Sequence, residues 1–253
     1  MRYAEVGPAG ARIRWAEVAG SAPVRLYLHG LGASAPAYYA GAAAHPALAG
    51  HRSLLLDFLG FGLSDRPADF GYRLTDHADT VAAVLDAEEI TGAEVIAHSM
   101  GGSIAVLLAH RRPELVSRLV VVDGNLDRRE PAPTGGGSRR IAHYTEDEFV
   151  RSGFAAMAEV CGPEWWATMR QADPVALHRS AVSLVRNTEP SVRELLCGLP
   201  MPRAYLSAGQ ERPLVGGAEL VAAGVDVRIV DAGHNIMLDD PDAFAEATAA
   251  VLR

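Results

Sequence analysis

Apolar positions in this chain fall into two alternating kinds of segment. The first kind is short and largely continuous: Val24 to Leu28, Ser53 to Leu56, Glu94 to Ala97, Leu119 to Val122 and Arg203 to Ser207, with a further strand at Val225 to Val230. Runs of this length suit strands buried on both faces of a parallel sheet. A looser alternation from Ala11 to Val18 adds a strand ahead of them. The second kind repeats with the helical period. Between Thr75 and Thr91, the residues Ala78, Val81, Ala82, Val84 and Leu85 make one apolar face, with Thr75 as N-cap and Gly92 as terminator. Met100 to Arg111 is a second helix, stopped before Pro113. A short helix near 214–223 and a closing helix with Pro241 in its first turn accompany the last strands. Such alternation predicts an α/β fold, a mostly parallel sheet covered by helices.

The alternation breaks between residues 124 and 200. That stretch carries no strand pattern. It opens with the Gly135-Gly136-Gly137 hinge and continues with helical patterns near 145–161, 163–171, 174–187 and 190–197. The expected organisation is therefore a core of residues 1–123 and 201–253 with a helical cap, 124–200, inserted after the sixth strand. The cap holds Tyr144, Phe154, Met157, Trp165 and Trp166. Those side chains are expected to roof a pocket and to favour an apolar substrate of small to medium size.

Composition narrows the partners. With 253 residues and a formal charge of -8, the chain lacks the basic surface that nucleic acid or an anionic membrane would select. The N-terminus shows no signal peptide, and no apolar run reaches the roughly 20 residues of a membrane span. Two cysteines, Cys161 and Cys197, do not make a disulfide framework. A cytoplasmic protein acting on a small molecule is the expectation, and the oligomeric state is left open. The scattered histidines give no metal spacing, and phosphate-cradling glycine patterns are absent, so neither metal nor cofactor is expected.

The chemistry concentrates at Ala97-His98-Ser99-Met100-Gly101-Gly102, between a strand and a helix. A serine on so tight a turn is pushed to the top of the sheet, and small residues must flank it two positions away, here Ala97 and Gly101. The helix that follows aims its N-terminus at the site, which favours developing negative charge. Ser99 is the candidate nucleophile. His234 lies in a short loop directly after a strand, where loops of a parallel sheet converge, and is the candidate general base. The residue after the nucleophile, Met100, is placed to offer a backbone N–H to an oxyanion. His98, beside the nucleophile, is a candidate pocket residue.

These motifs, taken with His29-Gly30-Leu31-Gly32, the turn Asp57 to Asp65 and Gly233-His234, resemble the α/β-hydrolase superfamily in order and spacing. The resemblance implies a serine hydrolase acting on a carboxylic ester or lactone through an acyl-serine. It places the second oxyanion N–H at Leu31. It also exposes a departure: the position after the seventh strand where the family usually carries its acid holds Arg212. Asp123, at the end of the sixth strand, is the first choice for that role, as in some branches of the superfamily, and Glu211 is the alternative. Acyl transfer, cyclisation, C–C bond cleavage and a small-molecule receptor remain alternatives to hydrolysis.

Overall fold

All six of these segments become strands of one sheet. A computed structural model describes residues 1–135, 137–210 and 214–253. The strands are β1 (Arg2–Glu5), β2 (Arg12–Val18), β3 (Ser21–Leu28), β4 (His51–Asp57), β5 (Ala93–His98), β6 (Val116–Val122), β7 (Arg203–Ala208) and β8 (Asp226–Val230). They lie in the order β1-β2-β4-β3-β5-β6-β7-β8. The pairs β1–β2 and β2–β4 are antiparallel, and every later pair is parallel.

Helices cover both faces. Before β6 come α1 (Ala35–Ala44), α2 (Leu74–Ala87) and α3 (Met100–Arg111). Between β6 and β7 come α4 (Ser138–Ile141), α5 (Glu146–Glu148), α6 (Phe154–Ala156), α7 (Pro163–Met169), α8 (Pro174–Arg186) and α9 (Val192–Gly198). After β7 come α10 (Gly217–Ala222), α11 (Ile236–Asp239) and α12 (Pro241–Leu252). Successive strand residues point to opposite faces. Leu26 and Leu28 join the cluster under α2 and α3, while Tyr27 between them joins the one under α1 and α12. This double burial is why the central strands read as nearly unbroken apolar runs.

The helical segment is bonded to the core along one edge. The Ser180 hydroxyl on α8 donates to the Tyr72 carbonyl and accepts from the His77 ring on α2. The Asp173 N–H donates to the Gly60 carbonyl. Gly60 has φ +88°, and a Cβ there would lie 2.3 Å from that of Ala176. Only glycine lets the two parts approach so closely. Among the described residues, no helix is long and apolar enough to cross a membrane.

Two elements escape the apolar pattern and one departs from it. β1 is mostly exposed, so it carries no alternation. In α1, Ala and Gly on every side leave no amphipathic stripe. The single helix expected over 145–161 is instead α5, a π-helical turn Phe149–Gly153, α6 and a 3-10 turn Met157–Glu159. Gly153 explains the break. The rings of Phe149 and Tyr144 pack where its Cβ would be.

Candidate active site

Ser99 occupies a turn that few residues tolerate, with φ 52° and ψ -117°. The sheet and the helix hold it from both sides. Its N–H donates to the Val122 carbonyl, extending the ladder with β6, and its own carbonyl accepts from Gly102 in the first turn of α3. The close quarters set the flanking residues. A Cβ on Gly101 would lie 2.6 Å from the His29 carbonyl oxygen, and Ala97 has no exposed surface. A strained conformation so thoroughly enclosed is one that the surroundings impose.

Three side chains from three strand ends meet here. The Ser99 hydroxyl donates to His234 Nε2 at 3.2 Å, and His234 Nδ1–H donates to Asp123 Oδ2 at 2.6 Å. The carboxylate thereby selects the tautomer that leaves Nε2 free to accept a proton. Burial would raise the Asp123 carboxyl pKa. The bond and charge of His234 outweigh it, aided by His98 and the Ala208 amide, and the carboxyl sits below its ordinary range. Asp123 has φ 42°, and its N–H pairs with Leu206, so its backbone is fixed to β7. Glu211, the alternative acid, lies outside the described residues. Asp127 is taken by Arg193, which grips it with two nitrogens at 2.8 and 2.7 Å.

The neighbours are positioned with equal care. His98 Nε2–H donates to the His234 carbonyl at 3.0 Å, so this ring braces the loop that presents His234. Burial, with the His234 charge, pushes His98 down to about 3, so it is neutral. His29 is a brace too: its Nδ1–H donates to the Gly30 carbonyl and its Nε2 accepts from Phe58 N–H. Asp57 accepts from Ala35 N–H and Leu63 N–H, tying the loops after β3 and β4 together. Leu31 lies in the cavity wall, its carbonyl bonded by the Trp165 indole N–H at 2.7 Å. Met100 is the first residue of α3, where a backbone N–H has no acceptor within the helix.

Asn125 was not legible in the sequence. Its side-chain oxygen lies 3.4 Å from Ser99 Oγ, and its own carbonyl accepts from Ser103. No motif marks it; it reaches the site only because the chain turns back over α3 after β6.

A cavity of about 540 Å³ opens over Ser99. Of the expected pocket residues, His98 and Trp165 line it. Tyr144, Phe154, Met157 and Trp166 do not. Tyr144 and Phe154 pack on Phe149, Phe154 also meets Trp166, and Met157 is fully buried. A short helical segment must build its own core before it can roof anything, and these apolar side chains do that. The wall is consequently more polar than the sequence suggests, with Asn125, Arg129, Arg139, Glu164 and Asn235 among its residues. Among the described residues, no group of three or more His, Cys, Asp or Glu side chains could hold a metal ion.

A family model described as alpha/beta hydrolase fold matches residues 23–179. Among curated proteins, 2-hydroxymuconate semialdehyde hydrolase from a Pseudomonas species is 39% identical over 119 residues, covering 47% of this chain and 42% of that protein. The match thus spans less than half the length of that relative. Two solved structures superpose over 99% of both chains at 20% identity. They are an enol-lactonase from Burkholderia xenovorans, with TM-score 0.81, and an esterase from Exiguobacterium antarcticum, with TM-score 0.80. At that identity the likeness is one of fold.

Proposed function

This chain belongs to the α/β-hydrolase fold family, a group of hydrolases among its relatives, and on that premise we propose that it cleaves a carboxylic ester or lactone through an acyl-serine intermediate. The observation that carries the reading is the hydrogen-bonded series from Ser99 through His234 to Asp123. Ser99 Oγ attacks the carbonyl carbon as its proton passes to His234 Nε2. The N–H groups of Met100 and Leu31 receive the oxyanion. The carbon–oxygen bond to the leaving group then breaks, and His234 returns the proton to that oxygen. Water, activated by the same imidazole, releases the acid and restores Ser99. Asp123 stays ionised and stabilises the imidazolium without taking its proton. In this reading, residues 1–123 and 201–253 are the catalytic core and 124–200 the cap that closes its pocket.

The test is turnover of 4-nitrophenyl esters of graded chain length by the parent and by Ser99→Ala. A parent rate at least about a thousandfold above the variant is expected. Turnover indistinguishable between the two would overturn the assignment. A second reading follows the sequence relative and takes 2-hydroxymuconate semialdehyde as the substrate. Offering that compound beside the esters discriminates the two, because the better kcat/KM identifies the better-fitting chemistry.

A further inference from the structure

The chain that leaves β6 is pinned at three consecutive residues. Asp123 N–H donates to the Leu206 carbonyl at 2.8 Å, the Tyr205 hydroxyl donates to the Gly124 carbonyl at 2.8 Å, and the Ser103 hydroxyl donates to the Asn125 carbonyl at 2.7 Å. Gly124 has no room for a side chain, since a Cβ there would lie 2.5 Å from Val121 Cγ1. The Asn125 side chain is thereby held in the cavity wall beside Ser99, with only 8% of the residue exposed.

Proton accounting defines what it does there. Ser99 Oγ faces His234 Nε2 at 3.2 Å and the Asn125 carboxamide at 3.4 Å. A hydroxyl has one proton to give and two lone pairs to offer. Catalysis through His234 requires that the proton point at Nε2. An amide oxygen turned toward Oγ would then set two acceptors face to face. Both amide N–H groups would also go without an acceptor, because among the described residues the side chain's one hydrogen-bond contact is with Ser99 Oγ. A half-turn about the Cβ–Cγ bond exchanges the two ends of the amide within the same outline. Nδ2–H then donates to an Oγ lone pair, the Ser99 proton stays with His234, and Oδ1 faces the cavity.

We propose that Asn125 is a catalytic residue that donates Nδ2–H to Ser99 Oγ. The proposal rests on the acyl-serine reading. In attack, the Oγ–carbon bond forms as the hydroxyl proton passes to His234 Nε2, and Asn125 keeps both of its amide protons. A hydrogen bond to an oxygen gaining negative charge is shorter and about twice as strong as one to a neutral hydroxyl. The contact therefore strengthens on the way to the transition state, which is the condition for accelerating a step. The same holds when the acyl-enzyme breaks down and Oγ departs as the leaving group. His234 moves the proton and Asn125 steadies the oxygen that loses it.

The experiment uses two variants. Asn125→Leu keeps the volume without polar atoms, and Asn125→Asp keeps the shape but, ionised at about pH 8, can only accept. Each is assayed on 4-nitrophenyl acetate, butyrate and hexanoate and for its rate of labelling by a fluorophosphonate, with urea unfolding as the check on folding. Asn125→Leu is expected to lower kcat/KM about 10- to 100-fold, by one factor on all three esters, and to slow labelling alike. A uniform factor marks a contact with Oγ rather than with substrate. Asn125→Asp is expected to be the slower variant, because its carboxylate competes with His234 for the hydroxyl proton and opposes charge on Oγ. A merely structural role would spare Asn125→Asp, which preserves the outline. Asn125→Leu at the parent rate or faster overturns the proposal, since removing an acceptor that withholds the proton would release the nucleophile. Asn125→Asp at the parent rate overturns it as well, and so does a loss confined to one ester. Should Asn125→Leu fail to fold, Asn125→Asp carries the test alone. A parent that is neither labelled nor active on any of the three esters rejects the acyl-serine reading and this role with it. Labelling of the parent and of Asn125→Leu at equal rates rejects the role alone.

Discussion

His77 and His98 are buried and neutral, and this makes the fold acid-sensitive in a defined window. Burial pushes both down to about 3, and a neighbouring imidazole adds to it: His29 beside His77, and His234 beside His98. An unfolded histidine takes its proton near 6.5. From that value down to about 3, the unfolded chain binds protons that the folded chain refuses, so stability falls as the pH falls. At pH 5 each histidine favours the unfolded state by about 2 kcal/mol, from roughly 1.5 pH units at about 1.36 kcal/mol per unit. The pair therefore costs about 4 kcal/mol, a large fraction of a typical folding free energy. Burial lowers His29 too, against the opposing charge of Asp57, which acts in the same direction. Asp123 does not interfere. Its carboxyl is held below the ordinary value of about 3.9, so its contribution is fully present at pH 5 and is lost only at lower pH. The assay is urea unfolding at pH 7 and pH 5 for the parent and His77→Gln. Glutamine keeps an N–H for the Ser180 hydroxyl but cannot titrate. The parent loses about 4 kcal/mol or more between the two pH values, and the variant about 2 kcal/mol less. Equal losses in the two proteins would refute the reasoning.

Other outcomes follow from the same geometry. Asp123→Asn replaces the acceptor that selects the His234 tautomer and should lower kcat on one ester by up to about 10⁴-fold with the fold intact; a parent-like rate would move the acid elsewhere. Gly60→Ala must place a methyl group against Ala176 at φ +88° and should cost about 1–3 kcal/mol in urea unfolding; an unchanged midpoint would show that the junction is looser than its geometry. Trp165→Phe removes the N–H bond to the Leu31 carbonyl while keeping an aromatic ring in the wall, and should raise KM severalfold; a parent-like KM would mean that this tie does not order the loop at Leu31.

Some parts of this protein were legible in the sequence for definite physical reasons. Strands buried on both faces are apolar at nearly every position, so Leu119 to Val122 and, apart from Arg25 with its Glu94 partner, Val24 to Leu28 announced themselves. The turn at Ser99 excludes bulk, so Gly101 and Ala97 marked it. Asp123 directly follows one strand of the parallel sheet and His234 lies in the short loop after another, which is why sequence position could single them out. The pocket was harder to read. Periodicity shows that Tyr144, Phe154 and Trp166 lie in helices, but not whether they face each other or a cavity. Here they face each other. Asn125 and Arg129 reach the cavity through an irregular loop, where no periodic signal exists, and Arg139 from α4, a helix too short to show one. α1 went unread because small residues on every side leave no stripe.

The central claim is that Ser99 is the nucleophile, and covalent trapping tests it most directly. The protein is treated with a fluorophosphonate, digested, and the adduct located by mass spectrometry. The account predicts one modified peptide carrying the label on Ser99, no label in Ser99→Ala, and labelling slowed strongly in His234→Ala, which lacks the base that draws off the hydroxyl proton. Label on another residue, or equal labelling of the parent and Ser99→Ala, would contradict it.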